Sequence, residues 1–400
     1  MSSAAAAGRL TVTAAVIVQS KREELMVRSE NVGFACIAAL CGAAAAAAHA
    51  ADNPATLSIG ASAPAFSLPG VDGKNYGLDD FAGAPVLVIV FTCNHCPTAQ
   101  AYEDRILRIA RDYRDKGVAL IAISPNDNEA LRLDELGYSD LGDSFEDMKV
   151  RARDQGFDFP YLYDGETQEV SKTYGPKSTP HVFIFDVDRK LRYTGRVDDS
   201  ERESNVKSQD ARNAIDALLE GKPVPVETTP TIGCSVKWSD KRPTVKAALE
   251  RWAKEDVTLE PIDADGVKKL VENGSDKLHV INVWATFCGP CVFEFPELVA
   301  MHRMYRGREF ELVTISCDPP AHAEKVLKFL TENQASTRNY HFSDEDTYKL
   351  VDAIGNGWTG PLPFTIIVAP GGKALYTHED AIDPLTVKKA VVGYLGRTYK

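Results

Sequence analysis

Two pairs of cysteines, each separated by two residues, are the residues of this sequence best suited to chemistry. Cys93 and Cys96 lie in the stretch FTCNHCPTAQAYEDRI, and Cys288 and Cys291 lie in VWATFCGPCVFEFPEL. In both stretches an apolar run precedes the cysteines and a predicted helix follows them. A helix N-terminus carries partial positive charge and unsatisfied N–H groups, so it favours a thiolate on the first cysteine. The second cysteine can then resolve a mixed disulfide.

The same spacing also fits half of a zinc site, or a structural disulfide. A closed zinc site needs four ligands, and neither half of the chain offers a second Cys-x-x-C pair nearby. The residues therefore favour dithiol–disulfide exchange without a bound metal or cofactor. In this interpretation Cys93 and Cys288 are the nucleophiles, and Cys96 and Cys291 are the resolving cysteines.

The elements around the two pairs repeat along the chain. Apolar runs typical of buried strands flank each pair, at 84–92 and 118–127 in the first half and at 277–285 and 310–318 in the second. Each half continues through a helical stretch to a strand–turn–strand pattern typical of a β-hairpin, and closes with an amphipathic segment. The sequence thus predicts an α/β protein with a tandem duplication.

The predicted domain boundaries follow from this repeat. A chain of 400 residues is long enough for two or three domains. We expect the first domain at residues 55–225 and the second at 255–400. Proline and threonine dominate the stretch 221–244 between them, which shows no hydrophobic period and predicts a flexible linker, placed at 226–254.

The N-terminal 50 residues contain a candidate targeting segment. From Met26 onward, the basic residue Arg28 precedes an apolar stretch that ends in Ala-His-Ala at Ala50. This pattern is typical of a secretory signal cleaved after Ala50, in which case residues 1–25 lie upstream of the true start. An uncleaved anchor is the alternative, although the stretch is short and alanine-rich for a membrane span. We expect an exported mature protein, for example a periplasmic one, without stable membrane insertion.

The charge of the chain excludes one class of partner. Its formal net charge is −12, with 57 acidic and 45 basic side chains. No basic excess is present to neutralise phosphates, which argues against nucleic acids and anionic membranes as partners. The acidic stretch 134–147 is interpreted as a solvated helical insertion.

The order of the elements and the placement of the motifs resemble the thioredoxin fold in both halves of the chain. This resemblance implies two tandem thioredoxin-like domains, each a mixed central sheet flanked by helices. In that family a cis-proline loop lies against the cysteine pair and contributes substrate-binding backbone. The matching positions here are Thr179-Pro180 and Leu362-Pro363, where we expect cis peptide bonds.

The second half resembles the exported TlpA-like thiol–disulfide oxidoreductases. Its sequence WATFCGPCVFEFPEL matches their Trp-Ala-x-x-Cys-x-x-Cys-x-x-Glu-x-Pro-x-Leu pattern, which adds Glu294 as a supporting residue. Phe287 replaces the usual tryptophan before the first cysteine but keeps a flat apolar neighbour. Gly289 and Pro290 form the dipeptide that thioredoxin itself carries. The resemblance implies a reducing site for protein disulfides, with an electron donor that the sequence does not identify.

The first half resembles the peroxiredoxin-like branch of the AhpC/TSA and redoxin superfamily, through its stretch APAFSLPGVDGKNYGLDDFAG. Peroxiredoxins place a threonine three residues before the peroxidatic cysteine, which aligns with Cys96. Here that position is Cys93, and the strand TPHVFIFD lacks the family's arginine. A thiol-dependent peroxidase is therefore the runner-up to dithiol exchange.

The residue between the first two cysteines is expected to tune them. His95 can donate to the Cys93 thiolate, which would stabilise the reduced form and raise the reduction potential of this pair. Electrons could then pass from the second domain to the first.

The alternative from a different class is a copper-binding or copper-delivery module. Two thiolates and an imidazole suit copper, and Cys93, Cys96 and His181 could supply them, although strand packing is the commoner fate of such a histidine. Two further thiols lie outside the pairs. Cys317 ends a predicted strand and is interpreted as a core thiol. Cys234 is a lone thiol in the predicted linker, which could carry it to either cysteine pair, although a resolving role is not the favoured interpretation.

Overall fold

The structure, a computed structural model, describes residues 54–399, so the predicted signal segment from Met26 to Ala50 lies outside the described residues. Among residues 54–399, no helix is both long and apolar enough to cross a membrane. The strands are β1 (Ser67–Pro69), β2 (Asn75–Gly77), β3 (Val86–Phe91), β4 (Val118–Ser124), β5 (Tyr161–Tyr163), β6 (Ser178–Thr179), β7 (His181–Phe185), β8 (Leu191–Gly195), β9 (Cys234–Ser235), β10 (Glu260–Ile262), β11 (Leu278–Trp284), β12 (Phe310–Ser316), β13 (Arg338–Phe342), β14 (Phe364–Val368) and β15 (Ala374–Glu379). The helices are α1 (Pro97–Arg114), α2 (Phe145–Gln155), α3 (Glu169–Tyr174), α4 (Asp210–Leu219), α5 (Arg242–Trp252), α6 (Ala264–Glu272), α7 (Gly289–Tyr305), α8 (Ala323–Glu332), α9 (Thr347–Ile354) and α10 (Pro384–Leu395).

The first half of the chain forms a five-stranded sheet in the order β5-β4-β3-β7-β8. Strands β3, β4 and β5 are parallel, whereas β7 and β8 continue the sheet antiparallel. Helices α1 and α4 pack their apolar residues on one face, and the segment around β1 together with α3 covers the other. All six residues of β3 are buried because both faces of the sheet are covered.

The second half forms a six-stranded sheet in the order β10-β13-β12-β11-β14-β15. Strands β10 to β13 are mutually parallel, and β14 and β15 are antiparallel. Helices α7, α8 and α10 pack on one face, and α6 and α9 pack on the other. The sheet is therefore buried between two helical layers, like the first.

The predicted duplication is confirmed. The unit β3-α1-β4 corresponds to β11-α7-β12, and the hairpin β7-β8 corresponds to β14-β15. Both halves are thioredoxin-fold units, and the peptide bonds Thr179-Pro180 and Leu362-Pro363 are cis as expected. Each sheet has additional strands that were not predicted, including β5 and β13. β5 has three residues, too few for an alternating pattern to stand out.

The prediction of a flexible linker at 226–254 is wrong for much of that stretch. Cys234 and Ser235 form β9, which pairs with β6, and α5 follows with a proline in its first turn. Val236 and Trp238 are buried. Lys237 donates its N–H to Asn126 and accepts at its carbonyl from Asp127 and Gln168. These bonds fix the segment on the first half. The domain boundaries at 55–225 and 255–400 stay a prediction.

The interpretation of 134–147 as a solvated insertion is also wrong. Leu136 belongs to the same apolar cluster as Met304 and Tyr305 of the second half, and Ser139 and Asp140 are buried. The Tyr305 hydroxyl donates to the Ser139 carbonyl at 2.9 Å. Buried contacts of this kind satisfy polar groups that a solvated loop would leave to water. The stretch therefore joins the two halves of residues 54–399 into one packed body.

Residues beyond α10 also lie on the first half. The guanidinium of Arg397 donates to both carboxylate oxygens of Asp140, at 2.5 and 2.9 Å. The ring of Tyr399 packs edge-on against Tyr138, with centroids 5.0 Å apart. This C-terminal segment (residues 397–399) therefore fastens the second half to the loop that precedes α2.

Replacing Arg397 with alanine is expected to lower the free energy of unfolding by about 2 kcal/mol, because it leaves the buried Asp140 carboxylate without its bidentate partner. The midpoint of urea unfolding at pH 7 measures the effect. The matched control is Arg153→Ala, which removes an exposed ion pair with Asp154 and should cost less than about 0.5 kcal/mol. Equal, small losses in both variants would contradict a fixed interface.

Candidate active sites

The site of the second half is built on the N-terminus of α7. Cys288 occupies the N-cap position, and its sulfur accepts the N–H of Cys291 at 3.3 Å. The two cysteines are joined in a disulfide. Cys288 is half-buried, Cys291 is fully buried behind it, and Pro290 lies exposed in the first turn. The helix start therefore falls on the first cysteine, as the sequence predicts.

A buried carboxyl lies one turn further along the same face of α7. Glu294 follows Cys291 by three residues, so both side chains lie on one side of the helix. Its carboxylate accepts from the Asn282 side chain and from the Ile382 N–H, both at 2.8 Å. Burial raises the pKa of Glu294 against the opposing effect of these hydrogen bonds. Leu362, before the cis-proline Pro363, packs on the apolar cluster that holds both cysteines.

In the first half the helix begins one cysteine later. The N-cap of α1 is Cys96, whose sulfur accepts the N–H groups of Ala99 and Cys234, each at 3.4 Å. Pro97 has no N–H and suits the first helical position, so it starts the helix after the pair, whereas Pro290 lies inside the second pair. The expectation that Cys93 occupies the helix start is therefore wrong.

The two thiols of this pair differ in acidity. Burial raises the pKa of Cys96, but the Cys234 thiol, the Cys93 thiol, the positive charge of His95 and the Ala99 N–H outweigh it, so the net pKa is well below the usual thiol value. Burial raises the pKa of Cys93, and the neighbouring Cys96 and Asp143 raise it further. The arrangement therefore favours a thiolate on Cys96 and a protonated Cys93.

His95 is held by a carboxylate that the sequence gave no reason to single out. Its Nδ1 lies 2.5 Å from Asp143 Oδ2, and both side chains are buried. Burial lowers the pKa of His95, but the Asp143 carboxylate raises it more, so the net shift is upward. The ring therefore pairs with Asp143 rather than donating to Cys93, and its charge acts on Cys96.

The alternative copper-ligand set of Cys93, Cys96 and His181 is not supported, because His181 bonds elsewhere. His181 accepts the Lys177 N–H at Nδ1 and contacts the Thr194 hydroxyl at Nε2, which occupies both ring nitrogens. Burial lowers its pKa to about 3. A different trio, Cys93, His95 and Asp143, has donor atoms within 4.8 Å of one another. Its imidazole nitrogen and carboxylate oxygen already bind each other.

Thr179 and Pro180, the remaining predicted site residues of the first half, lie beside the first cysteine pair. The Thr179 hydroxyl lies 3.1 Å from the Cys93 sulfur, and its carbonyl lies 3.3 Å from the Cys96 sulfur, with cis-Pro180 following. Sequence reasoning missed Asp143, and it raised the approach of Cys234 to a cysteine pair without favouring it. The single signal for Cys234 was that an unpaired cysteine in an exported protein needs an explanation.

Comparison with known proteins decides the family. The sequence model of the redoxin family matches residues 58–212, and that of the AhpC/TSA family matches residues 252–376. A peroxiredoxin-like protein of Mycobacterium tuberculosis is 30% identical over 147 residues, which cover 36% of this chain and 80% of that protein. The chain belongs to the redoxin and AhpC/TSA family. We call residues 58–212 the redoxin domain and residues 252–376 the AhpC/TSA domain.

Two further relatives are similar to parts of this redoxin and AhpC/TSA protein. The thiol–disulfide oxidoreductase ResA of Oceanobacillus iheyensis is 27% identical over 120 residues, which cover 29% of this chain and 54% of ResA. The crystal structure of a conserved protein from Geobacillus kaustophilus has 44% sequence identity and a TM-score of 0.41. It covers 46% of this chain and 93% of its own.

The sites of the two domains differ most in their access to solvent. In the redoxin domain Cys93 is 2% exposed and Cys96 is fully buried. In the AhpC/TSA domain the neighbours of Cys288 are exposed, with Phe287 at 66% and Phe293 at 64%. The AhpC/TSA site can therefore be reached by a large partner, whereas the redoxin site is enclosed.

Proposed function

We propose that this protein is an exported thiol–disulfide oxidoreductase whose AhpC/TSA domain reduces disulfides in other proteins. The observation that carries the proposal is the accessible Cys288 at the N-terminus of α7, bonded to the buried Cys291. Membership of a family with relatives named as thiol–disulfide oxidoreductases supports the enzyme class. The pattern from Met26 to Ala50 supports export.

The geometry suits a two-step exchange. In the reduced enzyme, the Cys288 thiolate attacks one sulfur of the substrate disulfide, a mixed disulfide forms, and the first substrate thiolate leaves and takes up a proton. Cys291 then loses its proton and attacks the Cys288 sulfur, which releases the second substrate thiol. Glu294, with its raised pKa, lies on the same helix face as Cys291 and can receive that proton. An external dithiol donor returns two electrons to the Cys288–Cys291 disulfide.

The surface around Cys288 favours a protein substrate. Phe287, Val292 and Phe293 are exposed on the residues that flank the pair. Large apolar side chains grouped on a surface are typical of protein-binding sites. A partner that covers them also excludes water from the exchanging sulfurs.

The predicted relay between the domains does not fit a direct exchange within one chain. Helix α7 begins at the Cys288 site, and its other end, Tyr305, contacts Ser139 beside the redoxin site. Seventeen residues of α-helix span roughly 25 Å, whereas exchanging sulfurs must touch. We therefore propose that the two centres act on separate partners while this packing holds.

A thiol-dependent peroxidase in the redoxin domain is the second candidate function. The observation that favours it is the low pKa of Cys96, the position that matches the peroxidatic cysteine. Cys93 still stands in place of the threonine that would help to polarise a peroxide. Rapid hydrogen peroxide turnover that is lost in Cys96→Ser and kept in Cys93→Ser would establish this function.

Replacing Cys288 with serine is expected to lower the rate of insulin disulfide reduction, with a dithiol as electron source, at least tenfold. Serine keeps the shape of the site but cannot form the mixed disulfide. The matched control is Cys317→Ser, which removes a half-buried thiol outside both pairs and should leave the rate unchanged. Full activity in Cys288→Ser would refute the assignment of the AhpC/TSA domain as the reductase.

A further inference from the structure

Cys234 is brought to the redoxin site by a short strand. β9 pairs antiparallel with β6, and Cys234 lies opposite Thr179, the residue before cis-Pro180. Gly233 permits this approach because a Cβ there would lie 2.0 Å from the Thr179 carbonyl oxygen, and its φ of +149° is one that side chains rarely adopt. The segment 233–238, which we call the strap, is thus shaped to lie on the site.

The strap places a third sulfur against the first pair. The Cys234 N–H donates to the Cys96 sulfur at 3.4 Å, and the Cys234 side chain packs on the cluster that contains this sulfur. Cys93, Cys96 and Ala99 form a small buried cluster, and Cys234 packs on it half-buried. The interaction with Cys96 raises the pKa of Cys234, so this thiol keeps its proton while Cys96 is a thiolate.

We propose that Cys234 is a third redox-active cysteine of this protein and forms a disulfide with Cys96. The inference rests on the thiol chemistry proposed for the chain but not on the reductase activity of the AhpC/TSA domain. Cys96 has two thiol neighbours, and these differ in burial. Cys93 is enclosed with Asp143 nearby, whereas Cys234 lies on the solvent side of the cluster. Cys234 is therefore the thiol better placed to resolve an adduct on Cys96.

The step balances with a disulfide as oxidant. Because the Cys96 sulfur is buried, attack on glutathione disulfide takes place while the strap is lifted from β6. The Cys96 thiolate then attacks one sulfur, the glutathione S–S bond breaks, and one glutathione leaves as a thiolate that takes up a proton. Cys234 then gives up its proton and attacks the Cys96 sulfur. The Cys96–Cys234 bond forms, and the second glutathione leaves with that proton. Two protein thiols are oxidised and one disulfide is reduced to two thiols.

An internal exchange can follow without any further oxidant. Cys93 attacks the Cys96 sulfur, the Cys93–Cys96 bond forms, and Cys234 is released as the thiol that takes up the Cys93 proton. In this cycle Cys96 is shared between two alternative disulfides. The strap contributes Cys234 to one of these disulfides, so the pairing of β9 with β6 and the redox state of the site are coupled.

The test uses the full chain with Cys93→Ser, so that Cys234 is the remaining thiol of the cluster beside Cys96. The protein is reduced, incubated with glutathione disulfide, and mapped by mass spectrometry of non-reduced digests. We expect the Cys96–Cys234 peptide pair to dominate, with glutathione on Cys96 at least tenfold less abundant. In Cys93→Ser/Cys234→Ser, glutathione should instead accumulate on Cys96.

The control is Cys93→Ser/Cys317→Ser, which should behave like Cys93→Ser because Cys317 lies outside the cluster. Circular dichroism shows whether each variant is folded. Equal accumulation of glutathione on Cys96 with and without Cys234 would overturn the proposal. A Cys96 that stays unmodified in both variants would overturn it as well, because the proposed disulfide then has no route of formation. The redox state of the Cys288–Cys291 pair is read from the same digests. A failure of the proposed reductase function can therefore be told apart from a failure of the Cys96–Cys234 proposal.

Discussion

Replacing Asp143 with alanine is expected to lower the free energy of unfolding by about 4 kcal/mol. Its buried carboxylate accepts hydrogen bonds from the N–H groups of Asn94 and His95 at 2.9 and 3.1 Å, and from the Asn126 side chain at 2.7 Å. It also pairs with the His95 ring at 2.5 Å. Alanine leaves an imidazolium and three donors buried without partners, a cost of roughly 3–5 kcal/mol.

Urea unfolding at pH 6 measures this loss. The matched control is Asp134→Ala, which removes a more exposed carboxylate of the same acidic stretch, paired with Arg132. That change should cost less than about 0.5 kcal/mol. A loss below about 1 kcal/mol for Asp143→Ala would mean that the His95 pair does not organise the loop.

The pair also sets a pH window for stability. The net pKa of Asp143 is lowered, since the effects of His95 and the hydrogen bonds outweigh burial. Its contribution is complete above the ordinary carboxyl pKa, near 4, and is lost as the pH falls through the lowered value. The pKa of His95 is raised, so its contribution is complete below about 6.5 and is lost as the pH rises through the raised value. The difference in stability between wild type and Asp143→Ala should therefore be largest between about pH 4 and 6.5.

The second large effect concerns which cysteine carries the thiolate of the redoxin domain. In a Cys288→Ser/Cys291→Ser background, the reduced protein should show the ultraviolet absorbance of one thiolate near 240 nm well below neutral pH. Adding Cys96→Ser should remove that absorbance entirely, because the helix N-terminus and His95 then have no thiolate to stabilise. Adding Cys93→Ser should leave it in place, because Cys93 keeps its proton.

The measurement is a pH titration of the absorbance at 240 nm, with fully reduced protein as the starting state. Loss of the acid-stable signal in Cys93→Ser rather than in Cys96→Ser would return the nucleophile to the first cysteine. The titration therefore separates the arrangement that Pro97 imposes from the one that the spacing of the cysteines alone predicts.

The features that could be predicted from the sequence are those that local sequence patterns specify. Apolar runs beside Cys93 and Cys288 gave the central strands, and the matching order of elements gave the duplication. Resemblance to known proteins supplied the cis bonds before Pro180 and Pro363. The shift of the helix start to Cys96 could also have been anticipated, because Pro97 follows the first pair and Pro290 interrupts the second.

The remaining features depend on contacts between residues far apart in the chain. Asp143 lies 48 residues from His95, in a stretch whose many carboxylates suggested a solvated surface. Cys234 lies 138 residues from Cys96, in a segment whose prolines and threonines suggested a flexible connection. The average composition of such a segment does not indicate which single side chain the fold buries. No local sequence rule identifies the distant residue that this side chain contacts.

The anchoring of the C-terminal segment has a consequence for how the chain matures. Asp140 and Arg397 are 257 residues apart, so the loop beside the redoxin thiols gains this partner only after the AhpC/TSA domain has been synthesised and docked. Contacts of such long range form late and slowly. While later segments are still being synthesised, Cys93, Cys96 and Cys234 of the nascent chain therefore lie beside a loop that lacks part of its native packing. In an oxidising compartment that interval is when wrong disulfides would arise, and chaperone protection would matter most then.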